Sequence, residues 1–116
     1  MLIVDDDPDM LDLVEQAIVD RGYRAARANN GEEALARTAE AEPQLILLDM
    51  RMPVMDGWSF ARVFRERYGR LIPIIVMTAA EDSKLRADEV GAEADLGKPF
   101  ELERLYEVVA DTVGPP

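Results

Sequence analysis

Five short strand-like runs alternating with five helical patterns constrain this chain more than any other feature. The runs are Leu2-Ile3-Val4, a weaker one from Tyr23 to Ala28, Leu45 to Leu48, Ile72 to Met77, and the very short Ala94 to Gly97. The first, third and fourth are apolar without polar alternation, as strands covered on both faces are. Helix signals lie between them. Asp7-Pro8 reads as an N-cap and first helical residue, with Leu11, Val14 and Ile18 following until Gly22. Asn30 and Glu33 have capping-box spacing before a short alanine-rich helix that ends near Glu42-Pro43. After a loop from Met50 to Gly57, Phe60, Val63 and Phe64 share one face of a helix running to Gly69. A polar helix from about Ser83 to Val90 closes before Gly91, and a last helix from about Pro99 carries Leu102, Leu105, Val108 and Val109 before Gly114-Pro115-Pro116. Strands alternating with helices need crossover connections. The expected fold is therefore α/β: a single doubly wound five-stranded parallel sheet with five helices on its two faces. A length of 116 residues makes this one domain, 1–116.

Composition narrows the chemistry. Twenty-four Asp and Glu against 13 Lys and Arg leave a net charge of −11, which repels a phosphate backbone and argues against direct nucleic-acid binding. The absence of Cys and His excludes a disulfide, a thiol nucleophile, an imidazole base and a soft-ligand zinc site. No apolar run approaches the roughly 18 residues of a membrane span, and the opening Met1-Leu2-Ile3-Val4 meets acidic residues at once, unlike a signal peptide. A cytoplasmic protein with no membrane contact is expected.

In doubly wound sheets ligands bind outside the carboxyl ends of the strands. There this chain places Asp5 and Asp6 after the first run, Asp49 after the third, Thr78 after the fourth and Lys98 after the fifth. Singly, such residues are ordinary helix caps and surface groups; together on one edge they form a site. Carboxylates about 4 to 5 Å apart repel by roughly 3 to 4 kcal/mol per pair at an effective dielectric near 20, so a cation must lie among them. An all-oxygen set suits Mg²⁺, with Mn²⁺ as a substitute, whereas Ca²⁺ wants more ligands than this pocket offers. A cation beside a lysine and a threonine is arranged for phosphoryl oxygens. With no other nucleophile at hand, a carboxylate must act. Asp49 stands alone at the middle of the sheet edge, while the adjacent Asp5 and Asp6 suit a metal-binding pair.

Four stretches then resemble the receiver domain of bacterial two-component response regulators: Leu2-Ile3-Val4-Asp5-Asp6-Asp7, Leu47-Leu48-Asp49-Met50-Arg51-Met52-Pro53-Val54-Met55-Asp56-Gly57, Met77-Thr78-Ala79 and Lys98-Pro99-Phe100. They match the family's five marker positions in order, and the similarity covers essentially the whole chain. The resemblance implies a flavodoxin-like fold of receiver type and a phosphorylatable signalling switch rather than an enzyme acting on a separate substrate. Asp49 would take a phosphoryl group from a histidine kinase or histidine phosphotransfer protein. Asp6 and Asp49 would ligate Mg²⁺ directly, Asp5 would reach it through water, and the Arg51 backbone carbonyl would complete the protein's share. Lys98 would contact the phosphoryl group, Thr78 would move toward it, and the Lys98-Pro99 bond would be cis.

One departure stands out. Asp95, three residues before Lys98, occupies the position where receivers usually carry a Tyr or Phe that swings inward. A carboxylate is costly to bury in a slot shaped for a ring, so Asp95 is expected to face solvent, with Tyr106 the one nearby candidate for a substitute ring. The stretch Glu101 to Asp111 has Arg104 as its only basic residue, unlike the family's dimerising regulators, which implies a monomer. Trp58 with Met50, Met52 and Met55 reads as loop packing or as a docking patch, and Asp56-Gly57 as a turn or helix start. Two other classes compete with the signalling switch. A metal-dependent phosphatase would want a carboxylate two residues after Asp49, where Arg51 stands. A flavin binder would want a hydroxyl- and glycine-rich loop where Asp5-Asp6-Asp7-Pro8 stands. No effector fits beside a receiver in 116 residues, so a stand-alone receiver or one cut from a longer protein is expected, the start in the first strand and the Gly-Pro-Pro end leaning slightly toward the second.

Overall fold

A computed structural model describes all residues, 1–116. Its strands are β1 (Leu2–Val4), β2 (Ala26–Ala28), β3 (Ile46–Asp49), β4 (Ile74–Ala79) and β5 (Ala94–Lys98), all parallel, in the order β2-β1-β3-β4-β5. The helices are α1 (Pro8–Asp20), α2 (Gly31–Glu40), α3 (Gly57–Tyr68), α4 (Ser83–Val90) and α5 (Leu102–Val113). The expected doubly wound sheet is thus present.

Unbroken apolar strands are required here because alternate residues feed two cores. Ile3, Leu45, Leu47, Ile75, Met77 and Leu96 point to one face, where Leu11, Val14 and Ile18 of α1 meet Leu105, Val108 and Val109 of α5. Leu2, Val4, Ile46, Leu48, Ile74 and Val76 point to the other, against α2, α3 and Ala87 of α4. Burying a side chain of this size contributes roughly 1.5 to 3 kcal/mol. Phe60 and Phe64 stack with centroids 5.4 Å apart at the centre of the second core.

Element boundaries shift where one residue's chemistry overrides the apolar pattern. The fourth strand begins at Ile74 rather than Ile72, because Pro73 has no N–H for the ladder and contributes only its carbonyl, to Ile46 N–H at 3.0 Å. The second strand begins at Ala26 rather than Tyr23, whose hydroxyl instead donates to the Gly114 carbonyl at 2.9 Å. The last helix begins at Leu102 rather than Pro99: Lys98 is still in β5, and residues 99–101 turn the chain out of the strand first. Asp49 and Thr78 likewise lie inside the ends of β3 and β4 rather than after them. The exposed edge at β2 is partly closed by Arg37, whose Nε donates to the Arg27 carbonyl at 3.4 Å.

Candidate functional site

The chain changes direction across the sheet between β1 and β3, and that switch point opens a crevice at the strands' carboxyl ends. Strand register brings the acidic residues together there. Val4 is paired with Leu48, so the next residues, Asp5 and Asp49, leave the sheet side by side. On the far side Thr78 is level with Gly97, and Ala79 with Lys98. Carboxylate oxygens of Asp5, Asp6 and Asp49 all lie within 4.8 Å of one another. Lys98 Nζ donates to Asp5 Oδ2 at 2.7 Å and stands 3.6 Å from Asp49 Oδ1.

Local structure holds each group. The Asp7 N–H donates to Asp5 Oδ1 at 3.0 Å, while Asp7 itself caps α1 by accepting from Asp9 N–H at 2.9 Å. Met50 N–H donates to Asp49 Oδ1 at 2.9 Å. The Asp56-Gly57 pair proves to be a helix start: Asp56 caps α3 by accepting from Ser59 N–H at 2.8 Å. Gly57 is needed because a Cβ there would come within 2.7 Å of the Asp49 carbonyl oxygen and of Met50 Cα. Helix α3 can therefore start hard against the strand that carries Asp49. The Lys98–Pro99 peptide is cis.

Asp5 is 1% exposed, Asp49 and Thr78 are each 7% exposed, and Asp6 is open to solvent, so the cluster has a buried floor and an exposed lip. Burial pushes the Asp49 carboxyl up to about 6; the charges of Asp5 and Asp6 add to this, and Lys98 and the Met50 N–H oppose it. For Lys98, burial alone would lower the ammonium. The Asp5 hydrogen bond and the fields of Asp49 and Asp5 outweigh that, and its proton is held above the ordinary lysine range. Ionised together, three carboxylates and one ammonium leave two negative charges, and every donor is a hard oxygen, so the residues present fit a divalent cation of the Mg²⁺ class. A concavity of about 800 Å³ beside Met1, Tyr23, Arg24 and Pro116 opens at the opposite, amino end of the strands.

Of the residues expected at the site, Asp5, Asp6, Asp49 and Lys98 converge, and Thr78 lies on the adjoining strand end. Arg51 sits two residues beyond Asp49 in the β3–α3 loop, with its guanidinium 5.8 Å from the Trp58 ring centroid. The methionines belong to the packing of that loop: Met50 is fully buried, and Met52, Met55 and Trp58 lean on the α2–α3 core. Trp58 also reaches α4, donating from Nε1 to Glu89 Oε1 at 2.9 Å beside Arg86.

Two expectations need correction. Asp95 does not face open solvent: it is half-buried, and the buried Ser83 hydroxyl at the start of α4 donates to its Oδ2 at 2.6 Å. A short hydrogen bond to the charged group offsets its desolvation. Tyr106 cannot serve as a substitute ring, because it packs on the α1–α5 side of the sheet, with the Arg21 guanidinium 3.8 Å over its ring. Sequence reading missed the Ser83–Asp95 and Trp58–Glu89 pairs, whose members lie 12 and 31 residues apart with no local pattern linking them.

Comparison with known proteins places this geometry among relatives. A sequence model described as the response regulator receiver domain matches residues 1–110. The transcriptional regulatory protein PcoR of Escherichia coli is 34% identical over 107 residues, covering 90% of this chain and 47% of PcoR. The chain thus spans about half the length of that relative, and 23% of the DNA-binding transcriptional regulator NtrC of Salmonella typhimurium, to which it is 34% identical over 109 residues. Among solved structures, the chemotaxis protein CheY4 of Vibrio cholerae superposes with a TM-score of 0.86 at 33% identity, covering 96% of this chain and 95% of that one. The receiver domain of NtrX from Brucella abortus gives 0.88 at 27% identity, with 97% and 96% covered.

Proposed function

Because the chain belongs to the response regulator receiver domain family of two-component systems, we propose that it is a phosphorylatable switch whose acceptor is Asp49. The observation that carries this reading is the position of that carboxylate, which ends β3 between Asp5 and Lys98 and is held at about 6. It is therefore largely ionised near neutral pH and available as a nucleophile. A histidine kinase or histidine phosphotransfer protein is the donor. An Asp49 oxygen forms a bond to phosphorus as the phosphorus–nitrogen bond of the donor's phosphoimidazole breaks, and the electron pair leaves with the imidazole. Lys98 supplies positive charge to the phosphoryl oxygens and is oriented by Asp5, with which it is hydrogen-bonded. Thr78, on the adjoining strand end, donates a hydrogen bond to the same oxygens once they are in place.

Asp6, Asp49 and the Arg51 carbonyl would hold Mg²⁺, with Asp5 reaching it through water and Mn²⁺ able to replace it. Bound there, the cation supplies charge neutralisation for a centre that otherwise gathers carboxylates and phosphoryl oxygens. The chain's own contribution is to hold these groups before reaction. Incubation with acetyl phosphate or phosphoramidate and Mg²⁺ is expected to add one phosphoryl group by intact mass. Addition to Asp49→Asn, or addition that EDTA leaves unchanged, would refute the assignment.

A further inference from the structure

Helix α4 has few restraints of its own. Only Ser83 and Ala87 of its eight residues are buried, and Leu85 is 53% exposed, so little apolar packing holds it. Its N-cap residue, Asp82, makes no capping bond. Trp58 holds the helix's far end through Glu89, and two attachments to β5 hold its start. The Ala80 N–H donates to the Lys98 carbonyl at 3.2 Å, and the Ser83 hydroxyl donates to Asp95 at 2.6 Å. Between them Gly97 has no side chain because Ala80 lies on it: a Cβ at Gly97 would come within 2.6 Å of Ala80 Cα. The connection from Thr78 to α4 is thus laid flat along β5. The Asp95 carboxylate also stands at a helix N-terminus, where negative charge is favoured. It holds the first residue of the helix from the neighbouring strand, through that residue's side chain.

This arrangement spans the distance from the site to an outer helix. Lys98 belongs to the site and holds Ala80; Asp95, three residues earlier on the same strand, holds Ser83. Thr78 lies immediately before that connection. We infer that Asp95 is a positioning residue which, through the Ser83 hydroxyl, pins the first turn of α4 to β5 and so restrains the strand end that carries Thr78. The inference rests on the phosphoacceptor reading above. The pair holds Ser83 and the connection behind it in this arrangement, so removing it makes the arrangement easier to leave, and ligands that draw Thr78 inward bind more tightly.

Asp95→Ala, Ser83→Ala, the double variant and Asp95→Asn separate the possibilities, with thermal unfolding confirming that each folds. Native-state hydrogen exchange of the amides of residues 86–90, the hydrogen-bonded ones of α4, is expected to speed up about tenfold in either alanine variant, the effect of losing one partly exposed hydrogen bond to a charged group. Ser83→Ala also removes a weaker bond from the hydroxyl to the Ala80 carbonyl at 3.3 Å, so the double variant should be no faster than Ser83→Ala alone, because the Ser83–Asp95 bond is already lost there. Asp95→Asn, which keeps an acceptor oxygen, should fall closer to the unsubstituted protein. In Mg²⁺, the beryllofluoride concentration giving half-saturation should fall about fivefold in the alanine variants and little in Asp95→Asn. Unchanged exchange, additive single effects, or an asparagine variant that behaves like alanine would overturn the pairing. Faster exchange with unchanged or weaker beryllofluoride binding would show that the pair anchors α4 without positioning Thr78, and would overturn the inference. If the unsubstituted protein failed to bind beryllofluoride at all, the phosphoacceptor reading would fall first and the inference with it.

Discussion

At Asp49 a carboxylate is held where neither solvent nor the single lysine is enough to keep its proton affinity ordinary. Its titration near 6, against 3.8 for a free side chain, means that the folded protein binds this proton more tightly than the unfolded chain does. Stability from the protonated group is fully present below about pH 4 and is lost as pH rises through about 6. Without divalent cations, Asp49→Asn is therefore expected to be more stable than its parent by about 1 to 3 kcal/mol at pH 7.5. That range follows from roughly 1.4 kcal/mol for every tenfold difference in proton affinity between the folded and unfolded carboxyl, less solvent screening. The gain should shrink steadily towards pH 4. Urea unfolding at pH 7.5, 5.5 and 4.5 checks this, and a difference independent of pH would refute it. Val54 is strained in another way. It is β-branched, has φ 70°, and lies between Pro53 and Met55, where the Met55 N–H donates to the Pro53 carbonyl at 2.7 Å. The side chain is 76% exposed, so no packing compensates. Val54→Gly should raise stability by about 1 kcal/mol in spite of glycine's backbone entropy, measurable by the same unfolding experiment.

Among the elements, α3 and α4 show two ways of starting a helix beside a functional site. Helix α3 carries its own cap in Asp56 and a glycine that lets it abut β3, and both signals are adjacent in sequence. Helix α4 borrows its restraint from β5, and neither Ser83 nor Asp95 announces it. The contact between Gly97 and Ala80 belongs to the same arrangement. Gly97→Ala would drive a methyl group into the Ala80 backbone and Cβ, which cannot yield like the end of a flexible side chain. A loss of about 1 to 3 kcal/mol is expected, the range for forcing a group into packed space. Hydrogen exchange should place the disturbance in residues 79–90, and an exchange pattern identical to the parent's would contradict the close packing.

For the whole molecule, charge governs association. The −11 net charge makes like copies repel one another at long range. The outer surface of α5 carries Glu103, Glu107 and Asp111 against Arg104 alone, and that arginine is already 3.4 Å from Glu107. Two such faces have little to pair with each other. Saturation with beryllofluoride and Mg²⁺ is accordingly expected to leave the chain monomeric at about 50 µM, because like-charged faces lack the complementarity that favours association. Sedimentation equilibrium with and without the mimic checks this, and a dimer that forms only with the mimic would overturn it.

The sequence by itself determined the layered fold and four of the groups that meet in the site, because both follow from short-range rules. Unbroken apolar runs must be covered on two faces, parallel strands need crossovers, and the residues ending those strands must share one edge: hence Asp5, Asp6, Asp49 and Lys98. The tertiary structure alone decided where Asp95 points, that Tyr106 faces α1 instead of α4, and that Trp58 ties α3 to Glu89. These depend on which long-range partner happens to stand opposite. A carboxylate in a short polar strand reads as solvated until a hydroxyl from another element is brought within 2.6 Å of it, and no local periodicity records that meeting.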